Sequence, residues 1–177
     1  MNQTGLHDDL IDRCRKGDRD AHYQLYKLYS KAMYNVAYRI TRSDVEAEDV
    51  LQDAFINAFR NLDKYRGDAT FGAWLKRIVV NKAINALKKN KYVDFPDDEQ
   101  WDVSDEVDVT EYREGLTVER VKRGIENLPD GYRAVLSLYL LEGYDHEEIG
   151  QILGISESTS KSQLNRARTK LKEILNT

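Results

Sequence analysis

Two sets of side chains in this sequence have types and spacings that suit contact with a nucleic acid. In the first, Lys76, Arg77, Asn81, Asn85 and Lys88 recur along one stretch, and Tyr65 and Arg66 lie in a short segment just before it. Lys and Arg neutralise phosphates, an Asn amide offers a donor and an acceptor to a base edge, and aromatic rings stack on unpaired bases. Taken alone, this set is most simply the solvated face of an amphipathic helix. In the second, Ser158, Thr159, Lys161, Ser162, Gln163, Asn165, Arg166 and Arg168 present hydroxyl, amide and basic donors along a single stretch.

The second set sits in a frame that favours DNA. Residues 145–153 and 156–175 read as two helices around a tight joint. Ile149, Ile152 and Leu153 face inward on the first, Gly154 permits the turn, Ile155 plugs the joint and Ser156 caps the second helix. Leu164, Ala167, Leu171 and Ile174 or Leu175 then form its inner face, which leaves the donor set outside. A helix-turn-helix makes this pattern expected, whereas a hairpin used only for packing makes it a coincidence. Upstream, a helix from about Leu116 to Leu128 carries Val118, Val121, Ile125 and Leu128. Pro129 and Gly131 interrupt it, and "YRAVLSLYLLEG" follows as an apolar helix ended by Gly143.

The first set needs its own scaffold. A short helix over 8–16 ends at Gly17, and Asp18 caps a second one running to about Thr41. Tyr23, Tyr26, Leu28, Tyr29, Met33, Val36, Ala37 and Ile40 suit a core stripe on that second helix. Ser43 caps a third, over about 44–62, with Val50, Leu51, Ala54, Phe55, Ala58, Phe59 and Leu62 on one face. Its other face carries Glu48, Asp49, Gln52, Asp53, Asn57 and Arg60, with Ile56 placed among them. The loop "DKYRGDAT" at 63–70 leads to a helix from Thr70 to Lys89, with Phe71, Trp74, Leu75, Ile78 and Ile84 on its buried side.

Charge divides the chain. Over residues 92–119, eleven Asp or Glu stand against Arg113 alone, a net charge of −10 in a protein whose total is −4. Residues 64–91 hold eight Lys or Arg against Asp68, a net of +7, and residues 156–177 hold five against Glu157 and Glu173, a net of +3. The acidic segment also contains Pro96 and little apolar periodicity, so it reads as a flexible linker. The expected organisation is all-α: a helical domain over 1–91, an acidic linker over 92–113, and a four-helix domain over 114–177 ending in the helix-turn-helix. At 177 residues, 41% of them hydrophobic, the chain can bury one or two small cores.

Other classes of function fit poorly. Cys14 is the single cysteine, and no apolar leader or 18-residue apolar run occurs, so the chain reads as soluble and intracellular, with no membrane insertion. His7, His22 and His146 are scattered, Cys14 has no base near it in sequence, and neither a phosphate-cradling glycine loop nor a metal-ligand spacing is present. No catalytic residue, cofactor or metal is therefore expected, and His146 reads as an exposed helix-start residue. A stand-alone DNA-binding regulator would account for the last two helices but leaves the basic block at 63–89 idle. A helical adaptor would make both basic faces plain surface.

"AEDVLQDAFINAFRNLDKYRGDATFGAWLKRIVVNKAINALKK" at 47–89, then the acidic segment, then "LPDGYRAVLSLYLLEGYDHEEIGQILGISESTSKSQLNRARTKLKE" at 128–173 together resemble a bacterial RNA polymerase sigma factor of the extracytoplasmic-function (ECF) group. The resemblance implies a cytoplasmic transcription initiation factor that binds core RNA polymerase and melts promoter DNA. It implies that Asp49, Gln52, Asp53, Ile56, Asn57 and Arg60 dock on the coiled coil of the largest polymerase subunit, which would explain an Ile on a polar face. Tyr65, Arg66, Lys76, Arg77, Asn81, Asn85 and Lys88 would serve the minus-ten element and capture a flipped base. Ser158, Thr159, Lys161, Ser162, Gln163, Asn165, Arg166 and Arg168 would meet the minus-thirty-five element in the major groove. The linker would pass near the active-site cleft and RNA exit path, or serve only as a solvated tether. An anti-sigma factor is a further partner that the resemblance brings in. Asn85, Ser160 and Gln163 depart from the family pattern, which often has Asp, Val and Arg there, so the promoter sequence does not follow.

Overall fold

The computed structural model describes residues 3–90, 93, 95 and 117–177, and the chain divides into two compact units, Met1–Asn90 and Lys91–Thr177. Apart from Val93 and Phe95, the segment expected to be the acidic linker, 92–113, lies outside the described residues. Every regular element among the described residues is helical.

The first unit consists of α1 (Gln3–Arg15), α2 (Arg19–Thr41), α3 (Asp44–Arg60), a short 3-10 turn (Leu62–Lys64) and α4 (Phe71–Asn90). α1 starts earlier than its sequence suggested and contributes Leu10, Ile11 and Cys14 to the core. Asp18 caps α2 as expected, accepting from the Asp20 and Ala21 amides, and Ser43 caps α3 through the Glu46 amide. α2, α3 and α4 pack against one another, and α1 lies on α2.

The stripe on α2 differs from the expectation. Tyr23, Tyr26 and Leu28 are exposed, while Ala21 and Leu25 join Met33, Val36, Ala37 and Ile40 inside. Hydrophobic weight pointed to the large side chains, but a helix buries one narrow stripe, and here the small Ala21 lies on it. The exposed rings lie against neighbours instead: Tyr26 against Phe55, and Tyr23 under the Lys27 ammonium. On α4, Val79, Val80, Ala83 and Leu87 are buried with Phe71, Leu75 and Ile84, whereas Trp74 and Ile78 are only half-buried.

The second unit consists of α5 (Val118–Glu126), α6 (Asp130–Leu136), a π-helical turn (Ser137–Leu141), α7 (His146–Leu153) and α8 (Glu157–Asn176). α5 is shorter than expected because Thr117 caps it, and Val118 then points to solvent. The apolar run after Pro129 is not one α-helix. It widens so that the Glu142 amide reaches the Ser137 carbonyl, and Leu140 and Leu141 are left exposed. Buried Arg133 closes the α5–α6 joint, donating to the Leu128 carbonyl at 3.1 Å and pairing with Asp130. α8 packs along α5, α6 and α7, and its inner face is the core of the unit.

Candidate functional site

The outer face of α3 matches its expected composition residue by residue. Asp49, Gln52, Asp53, Asn57 and Arg60 are exposed, and Ile56 among them keeps 48% of its surface in solvent. The helix commits its opposite face to the core through Val50, Leu51, Ala54, Phe55 and Ala58. An apolar side chain is thus held out by the periodicity of the helix that carries it.

The loop after α3 is built around Tyr65. Its ring packs against Phe71 and Trp74, its hydroxyl donates to the Ala69 carbonyl at 2.8 Å, and its own carbonyl accepts from the Arg15 guanidinium at 2.8 Å. Tyr65 is therefore half-buried and shapes the loop, while Arg66 beside it is exposed. Gly67 takes a left-handed φ of 81°, which lets the chain reverse toward α4. Arg15 is a contributor that sequence reading missed. It lies fifty positions away along the chain, and no local pattern signals such a contact.

On α4, Asn81, Asn85 and Lys88 are exposed, and Lys76 and Arg77 are half-buried. Asn85 does not stand with the loop. It lines a cleft of about 330 Å³ between α3 and α4, together with Asp49, Asp53, Lys82 and Lys89. Residues assigned to separate partners by the sequence resemblance are thus neighbours across one cleft.

In the second unit the helix-turn-helix is present with the expected joint. Asp145 caps α7 and forms a reciprocal box with Glu148, and Ser156 caps α8. Gly154 closes α7 at φ 72°, and a Cβ on Gly150 would lie 2.7 Å from the Ile155 carbonyl oxygen, which shows how closely the turn approaches the helix.

Two of the donor residues expected on the outer face of α8 are buried instead. Thr159 is 3% exposed and Gln163 is 0% exposed. The buried stripe runs through Ser160, Gln163, Leu164 and Ala167, a three- and four-residue spacing that the polar types concealed. Thr159 turns to the cap, with its hydroxyl 2.7 Å from Ser156 Oγ. Ser158 and Lys161 are exposed, and Ser162, Asn165, Arg166 and Arg168 are half-buried. Ser160 and Gln163, the α8 departures from the family pattern, are both fully buried.

His146 is also not the exposed residue expected. It is half-buried, its ring stacks on Tyr139 with centroids 4.7 Å apart, and its Nδ1 lies 2.8 Å from Ser160 Oγ. Burial, reinforced by nearby Lys161, pushes its pKa below the ordinary value. Tyr34, hydrogen-bonded to Asp44 at 2.6 Å, is pushed up to about 12 by that carboxylate.

Comparison with known proteins matches these two units separately and in order. The Sigma-70 region 2 family matches residues 25–92, and the Sigma-70, region 4 family matches residues 119–171. The ECF RNA polymerase sigma factor SigW of Bacillus subtilis is 32% identical over 93% of this chain and 94% of its own. The chain belongs to the ECF RNA polymerase sigma factors. The ECF RNA polymerase sigma-E factor of Escherichia coli is 34% identical, over 90% of this chain and 88% of its own. Among solved structures, CnrH in complex with the cytosolic domain of CnrY is 26% identical with a TM-score of 0.56, over 94% of this chain and 95% of that one. The sigma factor RpoE of Bartonella quintana shares the fold, at 22% identity and a TM-score of 0.57, over 88% of this chain and 96% of its own.

As an ECF sigma factor the protein directs RNA polymerase to promoters and is an initiation factor rather than an enzyme. Among the described residues no helix is long and apolar enough to cross a membrane. No group of His, Cys, Asp and Glu among them could hold a metal ion.

Proposed function

We propose that this sigma factor uses three surfaces in sequence. Residues 1–91 dock on core RNA polymerase and serve the minus-ten element, 114–177 serve the minus-thirty-five element, and 92–113 link them. The outer face of α3, with Asp49, Gln52, Asp53, Ile56, Asn57 and Arg60, meets the coiled coil of the largest polymerase subunit. The loop at Tyr65 and Arg66, with Lys76, Arg77, Asn81 and Lys88 of α4, holds the melted minus-ten strand, and Asn85 contributes from the cleft it shares with Asp49. On α8, Ser158, Lys161, Ser162, Asn165, Arg166 and Arg168 meet the upstream element, while Thr159 and Gln163 support the helix from within. The factor works in the cytoplasm, with the polymerase it serves. An anti-sigma factor is a further partner, a reading supported by CnrH having been solved with the cytosolic domain of a second protein.

One observation supports the docking assignment above the others: an isoleucine stands 48% exposed among carboxylates and amides on a fully formed helix. Half-buried apolar surface within a polar rim suits a protein partner. Asp53→Arg reverses a charge on this face without touching the core, so capture by core polymerase should fall by about tenfold or more while helicity is unchanged. Wild-type capture by that variant would remove α3 from the interface. Transcription in vitro with core polymerase over a genomic library would identify the promoters. Sequence-specific footprinting by the free protein would favour a stand-alone regulator instead.

A further inference from the structure

The two helices of the helix-turn-helix are joined by a directional contact as well as by apolar packing. His146, the first residue of α7, reaches Ser160 Oγ on α8 at 2.8 Å, and its ring lies nearly parallel to Tyr139 at 19°. Ser160 is fully buried on the stripe opposite the exposed donors. The apolar residues on that stripe, Leu164 and Ala167, make contacts that tolerate small rotations, since apolar burial is non-directional. A hydrogen bond to a ring already fixed by stacking does not tolerate them. Base-edge recognition needs its side chains held within about 0.5 Å.

We propose that His146 is a positioning residue for promoter recognition: anchored on Tyr139, it sets the rotation of α8 through Ser160 and so the register of Ser158, Lys161, Ser162 and Asn165 on the upstream element. This rests on the reading of α8 as the upstream-element helix. The charged groups that face the ring are Lys161, Glu157 and Arg168 from α8 and Asp145 from the cap of α7. The depressed pKa keeps the ring uncharged at neutral pH, with one ring nitrogen free to donate and the other to accept.

The test uses the full chain assembled with core polymerase and a promoter library randomised over the upstream element, with the downstream element constant. Ser160→Ala removes the bond from one side, His146→Phe keeps a ring on Tyr139 but cannot bond, and His146→Asn places an amide where Nδ1 was. Each of the first two should lower enrichment of the wild-type-selected upstream sequence by roughly three- to tenfold, the range one net hydrogen bond represents. Their double variant should do no worse than either alone, His146→Asn should recover most of the preference, and affinity for scrambled upstream DNA should stay unchanged in all. Equal preference in every variant overturns the proposal, as does a parallel loss on selected and scrambled DNA, the signature of a purely structural role. A wild-type selection that stays random overturns the upstream-element assignment itself, and this inference with it.

Discussion

Arg166 is half-buried on α8, four residues on from Ser162 and so on the same side of the helix. A cation that neutralises one phosphate releases about one counterion, so Arg166→Ala should flatten the salt dependence of holoenzyme binding to upstream DNA by about one unit of slope. An unchanged slope would place Arg166 outside the interface. The protonation of His146 gives a second prediction. Burial holds its pKa below 6.5, so as pH falls the unfolded chain takes up the proton first. The stability tied to the neutral ring is therefore complete above about 6.5 and is lost on acidification toward the lower folded value. Urea midpoints at pH 7.5 and pH 5.5 should converge for wild type and His146→Gln at the acid end, because the variant has no such proton to take up. Gln163 shows the limit of reading residues one at a time. Its amide suits a base edge, yet its position three residues from Ser160 and four from Ala167 puts it in the core.

Caps and turns were the most legible features at the level of elements, because their chemistry is local. Asp18, Ser43 and Ser156 all cap the helices that their types and spacing announced, and Asp145 adds a cap on α7 that the sequence reading did not name. Gly154 is the most consequential of these signals, since φ 72° at the end of α7 allows its amide to reach the Gly150 carbonyl at 2.8 Å and sets the turn into α8. Gly154→Ala should cost about 1 kcal/mol in chemical denaturation and Gly154→Asn less, because Asn tolerates the left-handed region. Apolar stripes were less legible. On α2 the exposed Tyr23 and Leu28 carry more hydrophobic weight than buried Ala21, and only the packing of α1, α3 and α4 decides which face turns inward. The π-helical turn at Ser137–Leu141 has no signature in composition at all.

At the scale of the whole molecule the decisive quantity is the separation of charge. Two basic stretches, net +7 over 64–91 and net +3 over 156–177, lie on either side of an acidic one in a chain of net charge −4. Few phosphates can be neutralised by either stretch alone. The free protein should therefore bind a promoter fragment no more tightly than random DNA of equal length, while the holoenzyme discriminates between them; fluorescence anisotropy with and without core polymerase measures both. Promoter-specific binding by the free chain would show that polymerase is not needed to bring the two readers into play.

The sequence by itself determined the helical class, the two-unit division, the caps, the helix-turn-helix joint and the exposed face of α3. Each of these rests on local spacing or on charge blocks, which survive without knowledge of what packs against them. Tertiary structure alone decided that Arg15 holds the Tyr65 loop, that Asn85 shares a cleft with Asp49, and that His146 bonds Ser160. It also decided that Thr159 and Gln163 turn inward. These depend on which face each helix offers its neighbours, and a helix with polar groups all round does not declare that face until the neighbours are in place.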